Sequence, residues 1–435
     1  MDESKLRSSL LLRMVLVGTL TIILLIPAFI VESLIIERKE RKTSVVNEVS
    51  GKWGNTQTIA GPILSIPLKH TVKENDGKIS TFTTLLHILP DSLAATGSIS
   101  TELRYRGIFQ VVLYNTKISF SGSINTGTIP QLNQGNAVPQ WSDAFFTVGI
   151  SDLRGIKENV VLTLNSSQLS AASGVRTDDV VSSGITFLPK ITGEQKLYPF
   201  SFALDLNGSS ELRFIPLGKH TEVNLSSQWN SPSFTGDFLP GQKTVTENGF
   251  SAQWKILELN RNFPQNWIGK NDEINKSSFG VHLLQTVDEY QQTYRTAKYA
   301  ILIVTLTFLA FFLCEVLTKE LLHPIHYTLV GLSLILFYVL VLSLSEQFGF
   351  DVAYIVSSLA ILTMITLYTR AIVTHKRTVV ITGSVVVTLY VFLYVVLQLE
   401  DYALLIGSVG LLGSLAAVMY LTRRVDWFSF GKTKE

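Results

Sequence analysis

The sequence predicts an integral membrane protein, α-helical with six spans, carrying a large inserted β-rich extracytoplasmic domain. Three observations predict it. Of 435 residues 46% are hydrophobic and only 16% charged, with mean hydropathy +0.31, where a soluble chain carries about 25% charged residues. The apolar excess is gathered into six runs. The residues between the first and second runs are instead rich in Ser, Thr, Gly and Asn, with short period-two patterns.

The first run, Met14 to Val31, contains no charged residue. It exceeds the ~7 to 15 apolar residues of a secretory signal, and no small-x-small cleavage site precedes Glu32. It is therefore read as an anchor. The other runs are Tyr299 to Leu317, Tyr327 to Ser345, Val352 to Thr369, Val379 to Leu397 and Tyr402 to Leu421. Each is roughly 30 Å long as a helix, the thickness of a bilayer's hydrocarbon. The expected organisation is a cytoplasmic N-terminus (1–13), a first transmembrane helix (14–36), the periplasmic β-rich domain (37–297), a five-helix transmembrane bundle (298–422) and a cytoplasmic tail (423–435).

Basic residues of short loops stay on the cytoplasmic side. Lys319, then Arg370, Lys376 and Arg377, then Arg423, Arg424, Lys432 and Lys434 follow alternate spans, and Lys5, Arg7 and Arg13 precede the first. The intervening loops carry only acids, Glu346 with Asp351 and Glu400 with Asp401. Both termini are thus placed in the cytoplasm of a multi-pass inner-membrane protein. The run Arg38, Lys39, Arg41 and Lys42 disagrees, but it opens a long translocated segment, and such segments largely escape the charge rule.

In the outer segment, Phe200, Phe202, Leu204 and Leu206 alternate with small or polar residues, and Asn207-Gly208 supplies a two-residue hairpin turn before Leu212 and Phe214. A second hairpin is expected where Leu64, Ile66 and Leu68 run toward Asp76-Gly77 and return through Ile79. Ile108 to Tyr114, Lys117 to Ile124 and Val160 to Leu164 read as further strands. The domain is expected to be mainly antiparallel, as a sandwich or a barrel. Its two ends read as helical, Val31 to Ser50 stopping at Gly51, and Leu283, Leu284, Val287, Tyr290 and Tyr294 at helical spacing. They are rigid stalks in one reading and overrunning membrane helices in the plainer one, which is preferred.

Several chemistries are excluded. A formal charge of +2 leaves no basic footprint for nucleic acid. The single cysteine, Cys314, forms no intramolecular disulfide. Gly-x-Ser-x-Gly, His-Glu-x-x-His and a phosphate-binding glycine loop are absent, so no enzyme, cofactor or metal site is expected. His323 and His326 have ligand-like spacing but no fixed third ligand, and interfacial imidazoles are the preferred account. Glu315, Glu346, Asp351, Glu400 and Asp401 lie near span ends, which disfavours ion-coupled transport. Mid-depth hydroxyls at Ser333, Tyr338, Ser357, Ser358, Ser384, Thr388 and Tyr390 line a path in one reading and bond neighbouring backbone in the plainer one. Gly407, Gly410, Ser414 and Ala417 form a small-residue stripe for helix packing within the bundle, with a homo-oligomer as the sharper alternative.

Tyr299 to Leu317 reads YAILIVTLTFLAFFLCEVL, His323 to Tyr354 reads HPIHYTLVGLSLILFYVLVLSLSEQFGFDVAY, and Leu393 to Leu412 reads LYVVLQLEDYALLIGSVGLL. The outer segment adds AGPILSIPL (Ala60 to Leu68), VGISDLRGI (Val148 to Ile156) and SPSFTGDFLP (Ser231 to Pro240). Over nearly its whole length the chain resembles the CreD family of bacterial inner-membrane proteins, departing from it at His326, where that string carries Gln. The resemblance implies a cell-envelope integrity protein tied to a two-component response and to β-lactam and colicin tolerance. It brings no catalytic residue or ligand with it. Family-like strings nominate Asp152, Arg154 and Gly155, then Trp229, Pro232, Ser233, Phe234 and Gly236, then Glu346, Glu400 and Asp401. The plain readings are a local ion pair for Asp152 with Arg154, turn formers for Pro232 and Gly236, and interfacial charge or docking of a basic patch for the acids. Expected partners are the lipid bilayer and an envelope lipid, glycan or periplasmic protein. A lipid or glycan carrier is the alternative function.

Overall fold

The computed structural model describes residues 10–73, 79–127, 137–283, 289–318, 322–399 and 402–423. The chain packs as two compact units, residues 43–286 and the residues on either side of them.

The first helix, α1 (Leu10–Trp53), begins in the helical unit, and its residues from Thr43 on belong to the β unit; it ends where the Gly54 amide bonds the Ser50 carbonyl. After the β unit come α2 (Glu289–Lys298), α3 (Ala300–Thr318), α4 (Pro324–Phe348), α5 (Phe350–Ile372), α6 (Lys376–Gln398) and α7 (Ala403–Thr422). Pro324 starts α4 at the position where its missing N–H costs nothing, and the His323 imidazole accepts from the Ile325 amide. Gly349, at φ 80°, separates α4 from α5. α4 sits centrally: Tyr327 packs on Phe308 of α3, and Phe337 packs on Tyr354 of α5 and Tyr390 of α6. Among the described residues α1, α4, α5 and α6 are long and apolar enough to cross a membrane, and α2 with α3, bent by 41°, makes a fifth when taken together. Six were expected. The sixth expected run, Tyr402 to Leu421, forms the 20-residue helix α7.

The β unit is a sandwich, which decides between the two architectures left open by the sequence. One sheet runs Pro232–Gly236, Phe279–Leu283, Glu211–Phe214, Gln57–Lys73, Phe145–Ile150, Gly184–Phe187, Ala172–Ser173, with Ile79–Ile88 and Ala137–Pro139 also pairing on Gln57–Lys73. The second runs Gln242–Thr246, Gly249–Leu257, His220–Ser227, Ser92–Arg106, Phe109–Asn125, Leu197–Ser209, Val161–Leu164, Ser167–Ser170. Pairing is mainly antiparallel, with parallel contacts at Gln57 to Ile59 and along His220–Ser227. One continuous core joins the sheets. Phe120 meets Phe214 at 6.4 Å, Trp254 meets Phe279 at 5.6 Å, and Trp254 is fully buried with its indole N–H donated to the Phe238 carbonyl.

Alternation was a sound guide to strands. Phe200, Phe202, Leu204 and Leu206 are buried along Leu197–Ser209, and Leu64, Ile66 and Leu68 pair with the return strand down to Lys73 opposite Ile79. The turn Asp76-Gly77 lies outside the described residues. The two runs Ile108 to Tyr114 and Lys117 to Ile124 are one strand, Phe109–Asn125.

The hairpin at Asn207-Gly208 is not formed. Both residues stay in the strand, opposite Asn115 and Tyr114. A Cβ at Gly208 would lie 2.4 Å from Tyr114 Cζ, so the glycine admits a tyrosine ring rather than supplying a turn. The chain instead turns at Ser210, φ 59°, and Glu211–Phe214 crosses into the other sheet. Leu283 ends a strand rather than beginning a helix. Tyr290 and Tyr294 are helical as expected, while Leu284 and Val287 lie outside the described residues.

Candidate functional site

The structure makes Asp152 and Arg154 more than a local turn pair. Asp152 is buried at the N-cap of the short turn Leu153–Gly155, where its carboxylate accepts from the Arg154 amide, from Arg154 Nε at 2.9 Å and from Nη2 at 2.7 Å. It also accepts from the Asn55 amide at 3.0 Å, and Arg154 Nη1 donates to the Gly51 carbonyl at 2.5 Å. The pair therefore satisfies orphan groups at the C-terminal end of α1, which a helix end requires. Gln57 completes the knot, donating from Nε2 to the carbonyls of Asp152 and Asn207. The Arg154 guanidinium holds the Asp152 carboxyl down at about 2. This is a structural clasp.

Trp229 and Phe234 also serve packing. Trp229 donates its indole N–H to the Ser231 carbonyl. Phe234 stands edge-on to Phe250 and Trp254 at 5.9 and 5.7 Å, between the sheets. Pro232 and Ser233 belong to an edge strand rather than a turn, a place where a missing N–H is tolerated. Gly236 has φ +95°, with a would-be Cβ 2.1 Å from the Ser278 carbonyl oxygen.

In the helical unit the acids are engaged locally. Glu346 accepts from the Tyr290 hydroxyl at 2.8 Å, and Asp351 accepts from Tyr394 and Gln398. Glu400 and Asp401 lie outside the described residues. Glu315, buried near the end of α3, pairs with Arg13 and accepts from the Tyr327 hydroxyl at 2.8 Å. His326 bonds the Tyr368 hydroxyl at 2.7 Å. Ser333 and Thr388 bond backbone carbonyls one turn back, and the Tyr354 hydroxyl bonds the Tyr390 carbonyl. The small-residue stripe is divided: Gly410 admits the Phe392 ring of α6, whereas open space surrounds Gly407 and Ala417 is exposed.

Two arrangements were not read from the sequence. Ser65 Oγ lies 2.9 Å from His87 Nδ1, and His87 Nε2 lies 3.2 Å from Asp179 Oδ2. The residue types are those of a nucleophilic series. Ser65 and His87 are, however, buried to 1% and 0% exposure, beneath Trp267, so no substrate reaches the hydroxyl. Burial outweighs Asp179 and lowers the His87 pKa below 6.5.

The second is an open groove of about 300 Å³ on the outward face of the second sheet, lined by Thr96, Asn224, Ser226, Thr244, Ser251 and Gln253 among others. Cross-strand pairing sets Gln242, Gln253, Asn224, Thr96 and Ser119 in one row across five strands. Beside that row Glu222 accepts from Asn224 Nδ2 at 3.1 Å and from Gln253 Nε2 at 2.8 Å, fixing both amides. These bonds hold its carboxyl below the ordinary range. The ammonium of Lys243 stands over the Phe234 ring, 5.6 Å from its centroid. The sequence signal was available only as unusually small, hydroxylated outward positions.

The family profile described as inner membrane protein CreD matches residues 9–428. The chain belongs to the CreD family. It is 32% identical over 434 residues to the inner membrane protein CreD of Escherichia coli (strain K12), covering 99% of this chain and 96% of that protein. Within the CreD family this chain is thus an inner-membrane protein whose apolar helices lie in the bilayer and whose large β-rich domain is inserted between them.

Proposed function

We propose that this CreD-family chain is a non-enzymatic envelope protein that spans the inner membrane six times, keeps both termini in the cytoplasm and presents its β sandwich to the periplasm as a binding body. The groove over Asn224 and Gln253 carries this reading, because it is accessible and its amides are held in place by Glu222. The sealing of Ser65 and His87 supports a non-catalytic role. Family membership supports a part in envelope integrity. The test is complementation of a strain lacking the chain. Thr244→Trp, placed on the exposed edge strand, fills the groove and is expected to lose the tolerance to β-lactam or osmotic challenge that the unaltered chain restores. Full complementation by T244W would contradict the reading.

A second reading, a carrier of envelope amphiphiles, is favoured by a mainly apolar cavity of about 230 Å³ between α5 and α6, lined by Tyr354, Ser358, Tyr390 and Tyr394. The buried Tyr390 hydroxyl has no hydrogen-bond partner among the described residues. A polar group so placed in lipid is costly unless a ligand completes it. Lipid analysis of protein purified from native membranes tests it, with an enriched polar lipid expected and a composition equal to bulk membrane ruling it out.

A further inference from the structure

We infer that the groove on the second sheet takes an uncharged glycan; the inference rests on the reading of that groove as the binding surface and adds the ligand class. The argument is one of matched chemistry. Around the groove the outward row Gln242, Gln253, Asn224, Thr96 and Ser119 and the flanking Thr244, Ser251, Ser226 and Ser98 carry only carboxamides and hydroxyls. Such groups both donate and accept, as sugar hydroxyls do.

Other ligand classes fit poorly. A protein partner needs an apolar, often aromatic, centre, and no large apolar side chain emerges along these rows. A phosphate-bearing polymer needs Arg or Lys aimed at it. Here Lys243 is turned to Phe234, Lys117 lies 3.7 Å from Asp205, and Lys255 stands opposite the Glu222 carboxylate, whose charge it offsets. An acyl chain needs apolar walls. What remains is a polyhydroxylated, neutral ligand lying across the strands.

The site is also prepared. Asn224 and Gln253 face one another across adjacent strands, and both donate to the same Glu222 oxygen, at 3.1 and 2.8 Å. Each amide is thereby oriented before a ligand arrives, which reduces the ordering that binding requires. Glu222 acts as a positioning residue.

The experiment titrates the full chain in detergent with chitotetraose and, separately, maltotetraose, followed by saturation-transfer NMR and calorimetry. At least one is expected to bind saturably. Asn224→Ala with Gln253→Ala removes two ligand hydrogen bonds and is expected to weaken it about tenfold or more. T244W, on an exposed strand and so without a folding penalty, should abolish it. Glu222→Gln should weaken binding while leaving the melting temperature nearly unchanged, which a purely structural role would not do. Absence of saturable binding to either sugar, or equal affinity in the N224A/Q253A and T244W variants, overturns the inference. If neither sugar binds while T244W still fails to complement, the ligand class is wrong and the binding body stands. If sugar binds and T244W complements fully, the reverse holds.

Discussion

Arg154 grips Asp152 through two parallel bonds, Nε to Oδ1 at 2.9 Å and Nη2 to Oδ2 at 2.7 Å, and spends its remaining nitrogen on the Gly51 carbonyl at the end of α1. A bidentate pair of this kind is stronger than a single neutral bond. Its position at a helix terminus makes it a fastening between α1 and the turn that follows Phe145–Ile150. Asp152→Ala should therefore destabilise the protein by about 1–3 kcal/mol, since it orphans the Asn55 and Arg154 amides. Arg154→Lys, which lacks the fork, should lose part of that. Thermal unfolding in detergent, read by near-UV circular dichroism, checks both.

The same pair sets an acid limb. Its folded carboxyl titrates at about 2 against 3.8 for an ordinary aspartate. The stabilisation it gives is full above pH 3.8 and is lost as pH falls toward 2. Asp152→Asn should remove this part of the pH dependence, which is measurable as a flatter stability curve over that interval.

His87 gives a limb at milder pH. Its folded pKa lies below 6.5 because burial disfavours the cation, so the unfolded chain takes up a proton that the native one refuses. The stability difference is therefore full above pH 6.5 and shrinks as pH falls below it. Unfolding midpoints of the wild type should drop between pH 7 and pH 5, and His87→Gln should show a smaller drop over the same range. Parallel profiles for the two would contradict the assignment.

Gly208→Ala tests why the strand Leu197–Ser209 carries a glycine. The added methyl meets the Tyr114 ring at 2.4 Å, an overpacking that typically costs about 1–3 kcal/mol. A turn glycine with no such neighbour would show a smaller loss, and Tyr114→Leu should recover part of the stability in the double variant.

In the helical unit, Gly410→Val should drive a side chain into Phe392 and loosen α7 from α6. Phe392→Ala in the same chain should restore the melting temperature in part, and that non-additivity marks a direct contact. Additive losses would place α7 elsewhere.

Alternation made the strands legible, because Phe200 to Leu206 bury every second side chain whatever the topology. The hairpin error at Asn207-Gly208 has a physical source. Glycine serves equally for a positive φ and for a close approach, and only the distant Tyr114 distinguishes them. The Asp152 motif was visible as a local pair, but its bonds to Gly51 and Asn55 join residues far apart in the chain. The groove was hidden for a similar reason: Asn224 and Gln253 become neighbours through strand pairing, and Glu222 has no signature of its own. Membrane helices were legible from length and composition. The same rule reads Tyr402 to Leu421, which forms the helix α7.

The central claim is that the β sandwich lies outside the inner membrane while the basic loops lie inside. Cysteines introduced singly at Ser201 on the exposed sheet face, at Lys376 in the first turn of α6 and at Arg423 after α7 report it directly, against a native Cys314 that is buried. A membrane-impermeant maleimide should label Ser201→Cys in intact spheroplasts, and Lys376→Cys and Arg423→Cys only after permeabilisation. Labelling of Ser201→Cys that required permeabilisation, or of Arg423→Cys that did not, would contradict the account.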